Sequence, residues 1–321
     1  MRRRGKITVA GYGPVGRELV KRLSKRRDQI VVVQRKKPRS LPENVQLVNA
    51  DLENYDATQA ALANSDVVVC TVGLPYVAKV WARVWPSIMR NLLDACSKSS
   101  ARFVFADNLY AYGPQSRPLT EDMPSTTYGQ KPRIRGVITR LWQQAHNDGK
   151  VKAVAVRAAD FYGPAAPTSV LTSYGVVRLL KGKPALSPYP PDNPHDFSYI
   201  PDFARALETL IDAPDDAYGQ AWHVPNPRPT HSLRELLTTA ANMIGVPPRV
   251  QVLSPVLATI LSLFRSDVRE LKEMRYQWDQ PFIVDSSKFM KRFWSDSTPF
   301  EEGLRSTIEY YKQTQLVGPS T

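Results

Sequence analysis

Short apolar runs alternate with amphipathic stretches along the first 160 residues. "KITVA" (6–10) is a β-branched run that predicts a strand, and Val15, Leu19, Val20 and Leu23 then recur at helical spacing in an otherwise charged segment. "QIVVVQ" (29–34) predicts a second, buried strand, "VQLVNADL" (45–52) a third, and "DVVVCTVG" (66–73) a fourth. A helix is expected over "YDATQAALAN" (55–64) and another over Pro86–Ser97, with Pro86 at its first position. "RFVFAD" (102–107) predicts a fifth strand and "VKAVAVRAAD" (151–160) a sixth, separated by a helix from about Pro132 to Asn147. Strands that are apolar throughout and separated by helices imply a parallel sheet covered on both faces, hence an α/β, doubly wound fold.

The texture changes after residue 160. Prolines cluster in "PALSPYPPDNPHDF" (184–197) and "HVPNPRPTHS" (223–232), and helical stretches become irregularly spaced. The expected division is a core over 1–160 and a smaller C-terminal substrate lobe over 161–321, interleaved with the last strands of the core. Val252 to Phe264 is the most apolar segment, but it is too short to span a bilayer and is interrupted by Pro255. It predicts a buried or half-buried helix.

The turn after the first strand is Gly11-Tyr12-Gly13-Pro14-Val15-Gly16, a GxGxxG between a strand and a helix within a βαβ unit of roughly 30 residues. Gly11 would allow the tight turn, Gly13 would let the backbone approach a pyrophosphate, and Gly16 would let helix and strand pack closely. The helix N-terminus would face the phosphates. The core is therefore expected to be a dinucleotide-binding domain of the Rossmann type, with Gly11, Gly13, Pro14, Val15 and Gly16 against the cofactor. An acidic residue at the end of the second strand would accept hydrogen bonds from the ribose of NAD. Gln34-Arg35-Lys36-Lys37 stands there instead. A guanidinium pairs with a 2′-phosphate that a carboxylate would repel, so NADP is expected over NAD, with Arg35 first and Lys36 second.

Net charge is +13, and its distribution changes the picture more than its size. Residues 1–40 hold fourteen Lys and Arg against Glu18 and Asp28, which is +12. Arg2–Arg4 and the Lys21–Arg27 cluster are read as solvated surface, as charge runs usually are. Basic and aromatic residues do not interleave there, so nucleic acid is not an expected partner. Two cysteines, Cys70 and Cys96, form no CxxC, and the four histidines are scattered, so neither disulfide nor metal site is expected. With no membrane span and no leader expected, the anticipated location is cytoplasmic.

"GYGPVG", "ADL" (50–52), "FVFADNLYAYGP" (103–114), "VRAADFYGP" (156–164), "HDFSYIPDFARAL" (195–207) and "HSLRELL" (231–237) follow in one order along nearly the whole chain. That ordered set resembles the short-chain dehydrogenase/reductase superfamily, in its extended or atypical branch, the NAD-dependent epimerase/dehydratase group. The resemblance implies that Asp51, with Leu52 beside it, contacts the adenine, and that Val72 and Gly73 line the nicotinamide-ribose side. It also implies that "HDFSYIPD" lies near the substrate, with His195 as its basic residue, a role weighed equally against that of an inert loop histidine.

The departures from the family pattern concern catalysis. The residue four before Tyr112 is Asn108 where relatives carry Ser or Thr; an amide can orient a carbonyl but cannot relay a proton as a hydroxyl does. The family's Tyr-x-x-x-Lys pair is absent: no tyrosine here has Lys at +4, and Tyr128 is followed at +4 by Pro132. Either Tyr128 keeps the acid/base role with Lys131 beside it, or Lys131 and Arg135 take the places of the pair at i,i+4 spacing and contact the cofactor or an anionic group.

The expected chemistry is hydride transfer between nicotinamide and a carbonyl or alcohol carbon. Asn108 would orient the carbonyl, and Tyr128 or Tyr110 would handle the proton. The substrate would be a small carbonyl or alcohol, by analogy a sugar nucleotide, and a homodimer is the assembly to test. The alternative is a non-catalytic NADP-binding regulator or scaffold. Tyr110, Tyr112 and Tyr162 are expected to be packing residues with satisfied hydroxyls, and Trp81, Trp85 and Cys70 core.

Overall fold

The computed structural model describes residues 5–254 and 270–316. The chain divides into two compact units: the first holds the residues up to Gly113, Glu121–Ala158 and Phe203–Val224, and the second holds Pro114–Thr120, Ala159–Asp202 and the chain from Pro225 onward. The chain leaves the first unit for Pro114–Thr120 and again after Ala158, and returns to it for Phe203–Val224, which includes β10 of its sheet. Arg2–Arg4 lie outside the described residues, as does the segment expected to be helical over Val252–Phe264, from residue 255 on.

The first unit is built on β1 (Lys6–Ala10), β2 (Gln29–Gln34), β3 (Val45–Asn49), β4 (Val67–Cys70), β5 (Arg102–Asn108), β6 (Ala153–Ala158) and β10 (Ala221–His223). All pair in parallel in the order β10-β6-β5-β4-β1-β2-β3. This is the doubly wound sheet that the apolar runs imply, with one more strand than the six they show. "AWH" at 221–223 is three residues long and carries no β-branched run, so its pattern is silent; what makes it a strand is the open edge of β6. β2, β4 and β6 are buried almost along their whole length, as strands covered on both faces must be.

Helices α1 (Pro14–Leu23), α2 (Tyr55–Leu62), α3 (Ala78–Ser99) and α4 (Lys131–Asn147) alternate with its strands in sequence. α3 starts eight residues before the expected first turn and takes Pro86 into its interior. Proline removes one backbone hydrogen bond there, yet the buried stripe Ala78, Trp81, Val84, Trp85, Ile88, Met89, Leu92 and Cys96 runs straight through it. Packing of that stripe against Phe103 and Phe105 of β5 and Ile138 and Trp142 of α4 outweighs the local rule. Part of the N-terminal charge is paired within this unit. Arg22 pairs with Glu208 at 2.7 Å, and Arg26 with Asp28 at 2.8 Å and Asp212 at 3.1 Å, the partners Glu208 and Asp212 belonging to α6 (Ile200–Asp212).

The second unit has two small parallel pairs, β7 (Asp160–Tyr162) with β9 (Phe197–Tyr199) and β8 (Ala185–Ser187) with β11 (Val250–Val252). Around them lie a π-helical segment, Val170–Val176, continuing into α5 (Val177–Leu180), then α7 (Leu233–Ile244), α8 (Ser287–Arg292) and α9 (Phe300–Leu316). α7 carries a capping box, with Ser232 accepting from the Glu235 N–H and the Glu235 carboxylate accepting from the Ser232 N–H. The unit's core joins Tyr162, Leu171, Phe197, Leu236, Trp278 and Leu304.

Candidate active site

Parallel strands present all their carboxyl ends on one edge, and the order of this sheet reverses between β1 and β4, where such folds bind ligands. The expected cofactor residues gather on that edge: the glycine turn after β1, Arg35 and Lys36 after β2, Asp51 and Leu52 after β3, Val72 and Gly73 after β4, and Asn108 at the end of β5.

The three glycines differ in what surrounds them. Gly11 has φ +101°, and a Cβ there would stand 2.9 Å from the Thr71 carbonyl and the Val72 nitrogen. A Cβ on Gly16 would meet the Gly11 oxygen at 2.4 Å and Thr71 Oγ1 at 2.6 Å, so α1 can lie this close to β1 only without one. Thr71 secures the turn by donating from Oγ1 to the Gly11 carbonyl at 2.9 Å. Gly13, by contrast, faces open space, with nothing within 4 Å of where a Cβ would stand, and it is the N-cap of α1. No side chain caps that helix and Pro14 occupies its first turn, so a helix N-terminus looks out past a residue with no side chain. That is a cradle for a phosphate group, and the residues present fit a dinucleotide.

At the end of β2, Arg35, Lys36 and Lys37 are exposed and form no ion pair among the described residues. Asp51 is exposed, and its carboxylate accepts the Glu53 N–H at 3.0 Å. Leu52 is buried, and its carbonyl is held by Asn91 Nδ2 at 2.9 Å and Thr58 Oγ1 at 3.2 Å. Gly73 is exposed with open space around it.

The end of β5 and the start of α4 hold the expected catalytic group. Asn108 uses its side-chain carbonyl to accept the Tyr110 N–H at 3.1 Å, which leaves its amide nitrogen as the donor end. Lys131 is the first residue of α4 and is 0% exposed, with Nζ 4.6 Å from the centre of the Tyr76 ring. A desolvated ammonium over a tyrosine face gains about 2 kcal/mol. It also sits at the positive end of a helix dipole, where a cation is disfavoured. Tyr128 lies on the preceding loop and is 44% exposed. Tyr76 and Tyr110 bring their hydroxyl oxygens to 3.5 Å, and both rings lie on Trp81, Tyr76 edge-on at 5.6 Å and Tyr110 stacked at 6.2 Å.

Arg135, expected to contact the cofactor or an anionic group, faces a carboxylate of the protein itself. It is 3% exposed, ion-paired to Asp107, and lies over the Trp85 and Phe105 rings at 4.8 and 5.0 Å. Its i,i+4 relation to Lys131 does place both on one helix face, but the guanidinium is turned into the core, against β5 and α3. Asp107 also accepts from Arg157 Nε at 3.1 Å, and Arg157 donates to Thr139 Oγ1 at 2.9 Å. Burial pushes the Asp107 carboxyl up, yet the two guanidiniums outweigh it and hold the carboxyl below its ordinary range. The Arg157 guanidinium lies 4.7 Å from the Tyr112 ring, and Tyr112 shares a 2.8 Å hydrogen bond with His223 Nε2. Burial raises the Tyr112 phenol to about 12. Burial likewise lifts the Cys70 thiol to about 12, so it is no nucleophile.

In the second unit "HDFSYIPD" is a set of local ties. His195, 1% exposed, stacks on Trp278 at 3.9 Å and on Phe282 at 4.9 Å, and its Nε2 meets Asp160 at 3.1 Å. Asp196 accepts from Arg228 at 2.6 Å and from the Val284 N–H at 2.7 Å; Ser198 accepts the Ala159 N–H at 3.0 Å and donates to Asn226 at 2.8 Å. His195 is thus a packed residue, and the partly exposed carboxylate of Asp160 is the member of the pair that solvent reaches. Tyr162 is buried as expected, but its hydroxyl finds no partner among the described residues. Tyr76 belongs to no motif that spacing reveals, so sequence reasoning passes over it; Asp107 and Arg157 enter it only as parts of "FVFADNLYAYGP" and "VRAADFYGP".

Residues 7–224 match the model of the NAD dependent epimerase/dehydratase family, about two thirds of the chain. The chain belongs to that family. The family is named for its dependence on NAD, a nicotinamide dinucleotide. The chain is 22% identical over 237 residues to the dTDP-glucose 4,6-dehydratase 1 of Escherichia coli (strain K12), a match covering 69% of this chain and 61% of that enzyme. It is 21% identical to a trifunctional UDP-glucose 4,6-dehydratase/epimerase/reductase of Arabidopsis thaliana, over 31% of that protein's length. The chain thus spans less than two thirds of the length of these curated relatives. In fold it resembles the Bacillus cereus UDP-glucuronic acid 4-epimerase solved with NAD, with a TM-score of 0.80, 18% identity and coverage of 96% and 99% of the two chains. It also resembles the UDP-glucose 4-epimerase of Thermus thermophilus in complex with NAD, with a TM-score of 0.76, 20% identity and the same coverage. No helix among the described residues is long and apolar enough to cross a membrane.

Proposed function

We propose that the protein is a nicotinamide-dinucleotide-dependent oxidoreductase or epimerase acting on a nucleotide sugar through hydride transfer at a carbonyl or alcohol carbon. The observation that carries this is the contrast between the glycines. Gly11 and Gly16 are explained by packing, whereas Gly13 is pressed by nothing and opens the N-terminus of α1 to a ligand. Relatives named for dTDP-glucose and UDP-sugar chemistry support a nucleotide-sugar substrate and favour an enzyme over a non-catalytic scaffold.

The pyrophosphate of the dinucleotide would be held by Gly13, Pro14, Val15 and Gly16, the adenine by Asp51 and Leu52, and the nicotinamide ribose by Val72, Gly73 and Lys131. When bound, the cofactor supplies or takes the hydride. Asn108 orients the substrate oxygen with its amide N–H, and Lys131 holds positive charge beside that oxygen. Arg35, with Lys36, gives a preference for the 2′-phosphate of NADP, supported by exposed cations that form no ion pair among the described residues. The structures that the fold resembles are described with NAD, so direct comparison of the two cofactors is the decisive measurement.

Titration of NADPH and NADH by fluorescence tests the reading. Saturable binding, lost in Gly13→Val while the melting temperature stays at the wild-type value, is expected. Absence of binding to the wild type refutes the function, and tighter binding of NADH refutes the role of Arg35.

A further inference from the structure

The family pair that moves the proton is absent from α4, yet the same edge of the sheet holds two phenols and a buried ammonium. Lys131 Nζ lies against the Tyr76 ring, the Tyr76 and Tyr110 hydroxyls are 3.5 Å apart, and Trp81 fixes both rings. Asn108 ties Tyr110 to the end of β5 through its backbone N–H. We infer that Tyr110 and Tyr76 together supply the phenolic proton, with Lys131 stabilising the phenolate that results. This rests on the oxidoreductase reading but assigns the acid/base role away from Tyr128.

A fully buried ammonium at the positive end of a helix gains from any negative charge that develops nearby, and a phenolate is a charge these neighbours can form. Two hydroxyls at 3.5 Å are too far apart for a strong hydrogen bond, but a single negative charge shared between them would draw them together, and catalytic hydrogen bonds commonly tighten only on ligand binding. Tyr110 is also two residues from Asn108, so the proton donor and the amide that orients the carbonyl lie on one short turn. Tyr128 is on a loop outside that turn and exposed.

In the reduction, the substrate carbon takes a hydride from the reduced nicotinamide while the carbonyl oxygen takes the Tyr110 proton. An alcohol, the oxidised nicotinamide and a phenolate result. The phenolate charge is shared with Tyr76 and balanced by Lys131; in the oxidation the same phenolate accepts the alcohol proton as the hydride leaves.

The first test needs no substrate. Alkaline titration of tyrosinate absorbance in the whole protein should show one proton released below the ordinary phenol range, ahead of the bulk of its 14 tyrosines. That early step should vanish or move up in Tyr110→Phe and Tyr76→Phe, move up in Lys131→Met, and survive in Lys131→Arg and Tyr128→Phe. Circular dichroism checks that each variant is folded, and Lys131→Arg keeps the test decisive if Lys131→Met is not. No early step in the wild type, or an early step unchanged in both phenylalanine variants, overturns the inference. With a carbonyl substrate in hand, Tyr110→Phe should lower kcat about 10²–10⁴-fold with dinucleotide affinity within about twofold of wild type. A loss in Tyr128→Phe instead overturns it. Failure of the wild type to bind any dinucleotide would remove the functional reading, while the titration would still decide the phenol pair.

Discussion

Asp107→Asn is the sharpest probe of how the first unit holds its active edge together. In the wild type the carboxylate is 1% exposed and faces the guanidiniums of Arg135 and Arg157, both nearly as buried. The substitution is nearly isosteric, so it creates no cavity; it removes the charge and strands two buried cations. Breaking a buried pair by removing one partner costs about 3–5 kcal/mol, and here one carboxylate serves two partners, so the upper end is expected. For a unit of this size that corresponds to roughly 10 °C or more in Tm. Urea unfolding followed by tryptophan fluorescence reads it directly, since Trp81, Trp85, Trp142 and Trp222 all lie in the first unit. Adding Arg135→Met removes one stranded cation, so the double variant should be no less stable than Asp107→Asn alone; strictly additive losses would refute the coupling. The acid limb gives an independent check. A carboxyl whose folded pKa is depressed contributes stability that is complete above its unfolded value, near 3.9, and lost as pH falls through the folded one. Wild-type stability should therefore fall below about pH 4 by more than that of Asp107→Asn. A variant within about 1 kcal/mol of wild type, with the same acid profile, would mean that the cluster contributes nothing to the fold.

Gly16→Ala should destabilise by about 1–3 kcal/mol, because its methyl meets the Gly11 carbonyl and the helix must move, whereas Gly13→Ala should melt like wild type and differ only in dinucleotide affinity. Equal Tm losses in the two would contradict the distinction. Arg35→Glu should weaken NADPH at least roughly tenfold and leave NADH within about threefold, read by fluorescence titration, since a like charge replaces the proposed phosphate partner. On the alkaline side the sign reverses: Tyr112 and Cys70 are held protonated in the fold to about 12, so the unfolded chain loses those protons first and stability falls as pH rises from about 9 toward 12. Tyr112 alone accounts for about 2 kcal/mol of that fall, and Tyr112→Phe should flatten it in pH-dependent urea melts.

The sheet is legible in the sequence because burial on both faces leaves its mark strand by strand: "ITVA", "IVVV" and "DVVVC" admit little but a covered parallel strand. The glycine turn is legible for the same reason, since a Cβ held 2.4 Å from the backbone is tolerated by no other residue type. Signals fail where a tertiary partner decides the outcome. Pro86 reads as a helix start, and only the stripe of tryptophans packed on β5 shows why the helix passes through it. "AWH" is a strand because β6 offers it an edge, a fact absent from the three residues themselves.

The candidate site divides along the same line. Lys131 and Arg135 are four residues apart on one helix, and spacing alone makes them equivalent as ligands. Their surroundings come from elsewhere in the chain. Arg135 meets Asp107, a carboxylate of opposite charge, and becomes part of the core. Lys131 meets the face of Tyr76, a ring with no formal charge, beside two hydroxyls that can acquire one. Periodicity assigns residues to a face, but what each side chain meets there comes from the rest of the chain: a carboxylate for Arg135, an aromatic face for Lys131. Under the proposed phenol pair, the proton comes from the loops that follow β4 and β5, and Lys131 at the start of α4 is the cation beside it.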